Sequence, residues 1–167
     1  LAYRAFHGHP DIETLERPMT AAGVEDWHRG QGSNNSQWRF KVKAGVKQVK
    51  FGQPGWRLGY ARDAINSYFV FKTLRAEGVI PAQVRFQVSI PLTASGIRLF
   101  FADADDYPRI RDGFTEALTH EVTTIFENIP YQDLAIQWDC AIEDTIIEKA
   151  LIEAGGITPE VQNMDTE

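Results

Sequence analysis

Two stretches of strict alternation, Val84-Arg-Phe-Gln-Val-Ser-Ile-Pro91 and Leu134-Ala-Ile-Gln-Trp-Asp139, stand on either side of a long helical pattern, and that order restricts the fold more than any other feature of the chain. In the first, Val84, Phe86, Val88 and Ile90 form an apolar row, and Arg85, Gln87 and Ser89 a polar one. In the second, Leu134, Ile136 and Trp138 fall on one face, and Ala135, Gln137 and Asp139 on the other. Side chains alternate across a strand with period two, so each segment reads as a strand with one apolar and one polar face. Between them Ile110, Phe114, Ala117, Leu118, Val122, Ile125 and Ile129 recur at helical spacing until Pro130. Strand, helix and strand with short loops predict a right-handed βαβ unit and a parallel sheet. The apolar rows then pack under helices and the polar rows face inward, with Ser89 and Asp139 at the carboxyl-terminal rim. An antiparallel sheet wetted on one face is the competing arrangement.

The remaining elements are read from punctuation. A short strand is predicted over Val46 to Phe51, then a turn at Gly52-Gln-Pro-Gly55. A helix runs from about Ala61 to Glu77, burying Ala61, Ala64, Ile65, Tyr68, Phe69 and Leu74, and Gly78 and Pro81 stop it. A short helical segment lies near Ala94 to Phe101. The long helix opens after Asp105 or Asp106, either a candidate cap, with Pro108 in its first turn. Thr145 and Glu148 form a capping-box pattern for a last helix, lined by Ile146, Ile147, Ala150, Leu151 and Ala154 and closed by Gly155.

Three parts result. Residues 1–44, broken by Pro10, Pro18, Gly23 and the tract Gly30 to Ser36, read as loops with at most one short helix. Residues 45–156 carry the βα units, and residues 157–167 read as a polar tail. A closed (β/α)8 barrel takes about 250 residues and rarely fewer than about 200. With three or four strands, this chain is expected to be a small open α/β domain or a partial barrel with covering helices.

Charge and cysteine usage remove several functional classes. A net charge of −6, with Arg39, Lys41, Lys43, Lys47 and Lys50 too sparse to form a basic face, argues against nucleic acid as a partner. The single cysteine, Cys140, excludes an internal disulfide and a zinc site built from several thiolates. No apolar run approaches the roughly 20 residues of a membrane span, and no signal-like N-terminus is present. The expectation is a cytoplasmic protein with a small-molecule substrate and no membrane partner, metal or other cofactor.

Several segments together resemble the uroporphyrinogen decarboxylase and cobalamin-independent methionine synthase superfamily of TIM barrels, in its methionine-synthase-like branch. They are Gly59-Tyr-Ala-Arg-Asp-Ala64, Ser67-Tyr68, Leu74-Arg-Ala-Glu-Gly-Val-Ile-Pro81, Val84 to Pro91 and Ile136-Gln-Trp-Asp139, spanning roughly residues 45 to 145. A fainter similarity, Asp11-Ile-Glu-Thr-Leu-Glu-Arg17, has Ile12 and Leu15 where the motif of such proteins has glycines. The resemblance implies a barrel whose mouth binds a small anionic or zwitterionic molecule, with Asp139 at the position that holds a substrate amine in methionine synthases. Those enzymes continue with Glu-Pro where this chain has Cys140-Ala141. Their zinc ligands lie on later strands, which this sequence does not reach, so thiol methylation is not expected of these residues alone.

Asp139 is the leading candidate catalytic residue, because a carboxylate beside Trp138 at a strand end seeks a cationic or hydrogen-bonding partner. Capping the next helix, or pairing with Arg62 or Arg85, is the structural alternative. Gln87, Ser89, Gln137, Arg62 and Trp138 are the candidate substrate contacts, although inward glutamines also bond one another between strands. His7 and His9 with Asp11 form a weak metal-site pattern or an exposed loop. Cys140 is a nucleophile only if a base lowers its pKa, and otherwise a small core residue. His120 falls on the flank of the long helix, partly solvated. Trp27 and Trp38 either line an entrance or clamp a loop. Two functions stay open: a methionine-synthase-like enzyme, methyltransferase-like or lyase-like, positioning its substrate with Asp139, Gln87 and Arg62, or a non-catalytic truncated barrel. The second survives as a homo-oligomer or by association with another chain, because open sheet edges seek partners.

Overall fold

In a computed structural model of the chain, residues 5–15, 40–52, 57–98, 100–101 and 103–154 are described. Their elements run β1 (Ile12–Thr14), β2 (Phe40–Val42), α1 (Tyr60–Ala76), β3 (Phe86–Pro91), α2 (Thr93–Ile97), α3 (Asp106–Asn128), β4 (Leu134–Asp139) and α4 (Ala141–Glu153). Trp27, Trp38, the tract from Gly30 to Ser36, Gly155 and the tail at 157–167 lie outside the described residues.

β3 and β4 pair in parallel, with Phe86 opposite Leu134, Ser89 opposite Gln137 and Pro91 opposite Asp139. The βαβ expectation therefore holds, and the antiparallel alternative does not. Val88, Ile90 and Leu134 join Ile110, Phe114, Leu118 and Ile125 in one buried core, so the period-two and helical rows meet as the pattern requires. The apolar row thins toward the end of β4. Ile136 is half-buried and Trp138 is 47% exposed, contrary to its predicted place beneath a helix. The polar row of Gln87, Ser89, Gln137 and Asp139 is exposed. The fold is mixed α/β, and the described strands form two two-stranded sheets rather than a closed barrel.

The second sheet corrects the reading of the N-terminal region. β1 and β2 pair antiparallel, Ile12 opposite Val42 and Thr14 opposite Phe40, inside a stretch expected to be loops. Phe40 also bridges to Phe101. This sheet belongs to the same core, because Phe6 lies with its ring centroid 5.1 to 6.0 Å from those of Phe40, Phe51, Phe100, Phe101 and Phe114.

The strand predicted at Val46 to Phe51 does not form, because the segment lies along α3. The Val49 N–H donates to the Arg109 carbonyl at 2.8 Å. The Arg109 guanidinium in turn donates to the carbonyls of Val46 and Lys43. The close approach requires a glycine on the helix: a Cβ at Gly113 would stand 2.1 Å from the Val49 carbonyl oxygen. The segment thus satisfies polar groups on a helix that a strand would satisfy on a neighbour.

Three helix details also differ from the pattern. On α1, Ala61, Ala64 and Tyr68 are buried as the spacing indicates and Tyr60 is buried with them, but Phe69 is 72% exposed. Phe71 packs inward instead, its ring 5.4 Å from that of Phe86. Gly78 ends the helix at φ +76, with its N–H on the Arg75 carbonyl. α2 is shorter than expected. α4 starts at Ala141, so Thr145 is not a cap; its hydroxyl donates to the Ala141 carbonyl within the helix at 3.0 Å. Ile146, Ile147 and Leu151, expected to be covered, are 43%, 57% and 43% exposed.

Candidate functional site

β4 delivers Gln137 and Asp139 to one face because they are two residues apart, and the parallel register sets Ser89 of β3 directly opposite Gln137. Hydrogen bonds join three of the predicted residues into a row. Gln87 Nε2 donates to Gln137 Oε1, and Gln137 Nε2 donates to Asp139 Oδ1 at 2.8 Å. The amide bond holds one carboxylate oxygen of Asp139 while the side chain stays exposed to solvent. Such a carboxylate can accept an ammonium or guanidinium without first breaking an ion pair.

The structural alternatives for Asp139 do not occur among the described residues. Arg85 donates to the carbonyls of Tyr131 and Leu134. Arg62 pairs with its neighbour Asp63 at 2.7 Å. The N-terminus of α4 is served by Ser95, whose Oγ accepts the Ile142 N–H at 3.0 Å. Trp138 faces away from Asp139 by strand alternation, so the expected apolar shielding of the carboxylate is not there.

Of the predicted contacts, Gln87 and Gln137 are joined to Asp139 and Ser89 shares their face, whereas Arg62 and Trp138 are not joined to the row. Arg62 sits in the first turn of α1 and lines a groove between that helix and α3. Tyr60 connects the two regions electrostatically. Burial, then the charges of Glu121 and Asp139, push its phenol up to about 12.

The remaining candidates change role. His9 is buried, with Nε2 on the Lys50 carbonyl at 3.0 Å and Nδ1 accepting the Asp11 N–H at 3.1 Å. Both ring nitrogens are thus committed to the backbone, which opposes the metal pattern with His7. No cluster of three or more His, Cys, Asp or Glu side chains suited to a metal occurs among the described residues. Cys140 is half-buried, and its contact with Asp144, followed by burial and the neighbouring carboxylates, raises the thiol pKa. That is the reverse of nucleophile activation.

Several working residues were not singled out from sequence, or, for Asp106, were singled out only as a candidate cap of α3. Glu121, buried on α3, accepts the N–H groups of Gly59 at 2.9 Å and Ala61 at 2.6 Å and so caps α1. Asp106, also buried, accepts the Val42 N–H at 2.9 Å and pairs with Arg109. Glu143 accepts the N–H groups of Ala94 and Ser95 and the Ser95 hydroxyl. The available signal for Asp106 and Glu121 was position. Both stand on the buried face of α3, where a lone carboxylate must have partners.

No helix among the described residues is long and apolar enough to cross a membrane. No family model, curated protein or solved structure matches the chain.

Proposed function

We propose that the chain binds a small amino-acid-like or carboxylated metabolite at the carboxyl ends of β3 and β4, as the methionine-synthase-like barrels it resembles do. On this reading the βα units form part of a (β/α)8 arrangement and the polar row is its inner face. Asp139 receives the ligand's ammonium, Gln137 fixes the carboxylate's orientation, and Gln87 and Ser89 offer further polar contacts along the row. The chemistry that the resemblance brings is methyltransferase-like or lyase-like. The observation that carries the reading is the exposed Asp139 carboxylate at a parallel strand end, oriented by an amide and paired with no arginine among the described residues.

Calorimetric titration with L-methionine, in parallel on the protein and on Asp139→Asn, tests it. Saturable binding is expected, and the substitution should lower affinity by ~2 kcal/mol or more, as for loss of a hydrogen-bonded charge pair. The denaturation midpoint should shift by less than ~1 kcal/mol in free-energy terms, because no buried charge is stranded. No binding, or equal affinity in both proteins, overturns the assignment.

One observation favours a second reading, a non-catalytic partial barrel that assembles with another chain. A parallel pair is ordinarily covered on both faces, yet here the polar face is open and Trp138 is 47% exposed on the other.

A further inference from the structure

A groove of about 390 Å³ lies between the start of α1 and the middle of α3, with Arg57, Arg62, His120, Glu121, Ile65 and Thr124 among its lining residues. Its size is in the range of small-molecule sites, about 300 to 1,000 Å³. Three basic side chains around one concavity run against a chain whose net charge is −6.

The acidic member of the lining is already engaged. Glu121 directs both carboxylate oxygens at the N–H groups of Gly59 and Ala61, so it pairs with none of the groove's basic side chains and those two donors are closed to a ligand. Arg62 uses Nε and Nη2 on Asp63 Oδ1 and keeps its remaining N–H donors. Arg57 and His120 form no side-chain hydrogen bond or ion pair with another described residue. Asp63 is therefore the one acidic group bonded to this basic set among the described residues.

We infer that this groove binds a small oxyanion, a phosphate or a carboxylate, held by the guanidinium groups of Arg57 and Arg62 with a ring N–H of His120 as a further donor. Guanidinium forks match the paired oxygens of either anion, and an imidazole adds a donor without crowding the site. The inference is independent of the strand-end reading, since it uses none of Gln87, Ser89, Gln137 or Asp139.

Chemical denaturation in inorganic phosphate, in succinate and in sodium chloride at matched ionic strength provides the test. Saturable stabilisation at millimolar phosphate or succinate is expected, with chloride having no such effect. A response to phosphate alone or to succinate alone identifies which oxyanion the groove takes. The Arg57→Gln, Arg62→Gln double variant should lose about tenfold or more in affinity, as charge-assisted bonds to an anion are removed. Both positions are exposed, so the double variant should fold, which its circular dichroism spectrum checks. Lys72→Gln, an exposed cation on α1 outside the groove lining, should bind like the parent protein. Stabilisation by chloride equal to that by the oxyanions, unchanged binding by the double variant, or no response to either oxyanion overturns the inference.

Discussion

Glu121 closes the amino-terminal end of α1 from 60 residues away, its carboxylate accepting the Ala61 N–H at 2.6 Å. Helix termini leave N–H groups that need partners, and here a single buried acid supplies them for Gly59 and Ala61 together. Glu121→Ala should therefore cost about 3 kcal/mol, the upper part of the range for hydrogen bonds to a charged group. Glu121→Gln, which keeps one acceptor oxygen, should cost about half as much. Urea denaturation measures both, and a loss below ~0.5 kcal/mol for the alanine variant would show that water replaces the cap.

Gly113→Ala should reverse the usual sign of a helix substitution. At an exposed helical site the change would stabilise by about 1 kcal/mol through backbone propensity. At Gly113 the new Cβ would stand 2.1 Å from the Val49 carbonyl, a backbone atom without a rotamer to escape into. A net loss of about 2 kcal/mol or more is expected, typical of overpacking. Equal or higher stability would mean that the 46–50 segment does not lie against α3.

The mutual capping of α2 and α4 should make part of the stability pH-dependent. Burial works to raise the pKa of Glu143, but bonds from the Ser95 hydroxyl and the N–H groups of Ser95 and Ala94 outweigh it and hold the carboxyl below its ordinary value. A depressed carboxylate contributes stability that is complete above the unfolded-state value, near 4.5, and is lost as pH falls through the folded-state value. Between pH 6 and about 3 the protein should lose more stability than Glu143→Gln does. Parallel stability profiles for the two proteins would reveal no such role for Glu143.

Association is expected at micromolar concentration, because Ile146, Ile147 and Leu151 leave an apolar strip on α4 and Trp138 adds an exposed ring. Ile147→Lys, at a residue 57% exposed, should weaken self-association without lowering stability by more than ~0.5 kcal/mol. Sedimentation velocity over a concentration series decides; a monomer throughout removes the assembly reading for a second copy of this chain.

The legible parts of the fold were those with long, clean periods. β3 and the buried side of α3 repeat their pattern often enough to fix both element and face, and β4 often enough to fix the element, though not the cover over Trp138. β1 and β2, with three residues each, carry too few alternations to be seen among prolines and glycines. Val46 to Phe51 looked like a strand because satisfaction by a helix leaves no local trace. At the site, alternation placed Gln87, Gln137 and Asp139 on one face, while the tie of Glu121 to Gly59 depends on packing between elements. The polar break in the buried row of α3 was legible, and Glu121 was the residue to question there.

Asp106, Gly113 and Glu121 lie about two turns apart on one helix, and they meet Val42, Val49 and Gly59 in the same order. The amides of Val42, Val49, Gly59 and Ala61 therefore have their acceptors some 60 residues later in the chain. During synthesis, residues 42–61 have no native acceptors for these amides until α3 has emerged and coiled. A fragment ending before Asp106 lacks these four acceptors. In the complete fold, the exchange of the Val42, Val49 and Ala61 amides with deuterium should be governed by the opening of α3 rather than by their own loop.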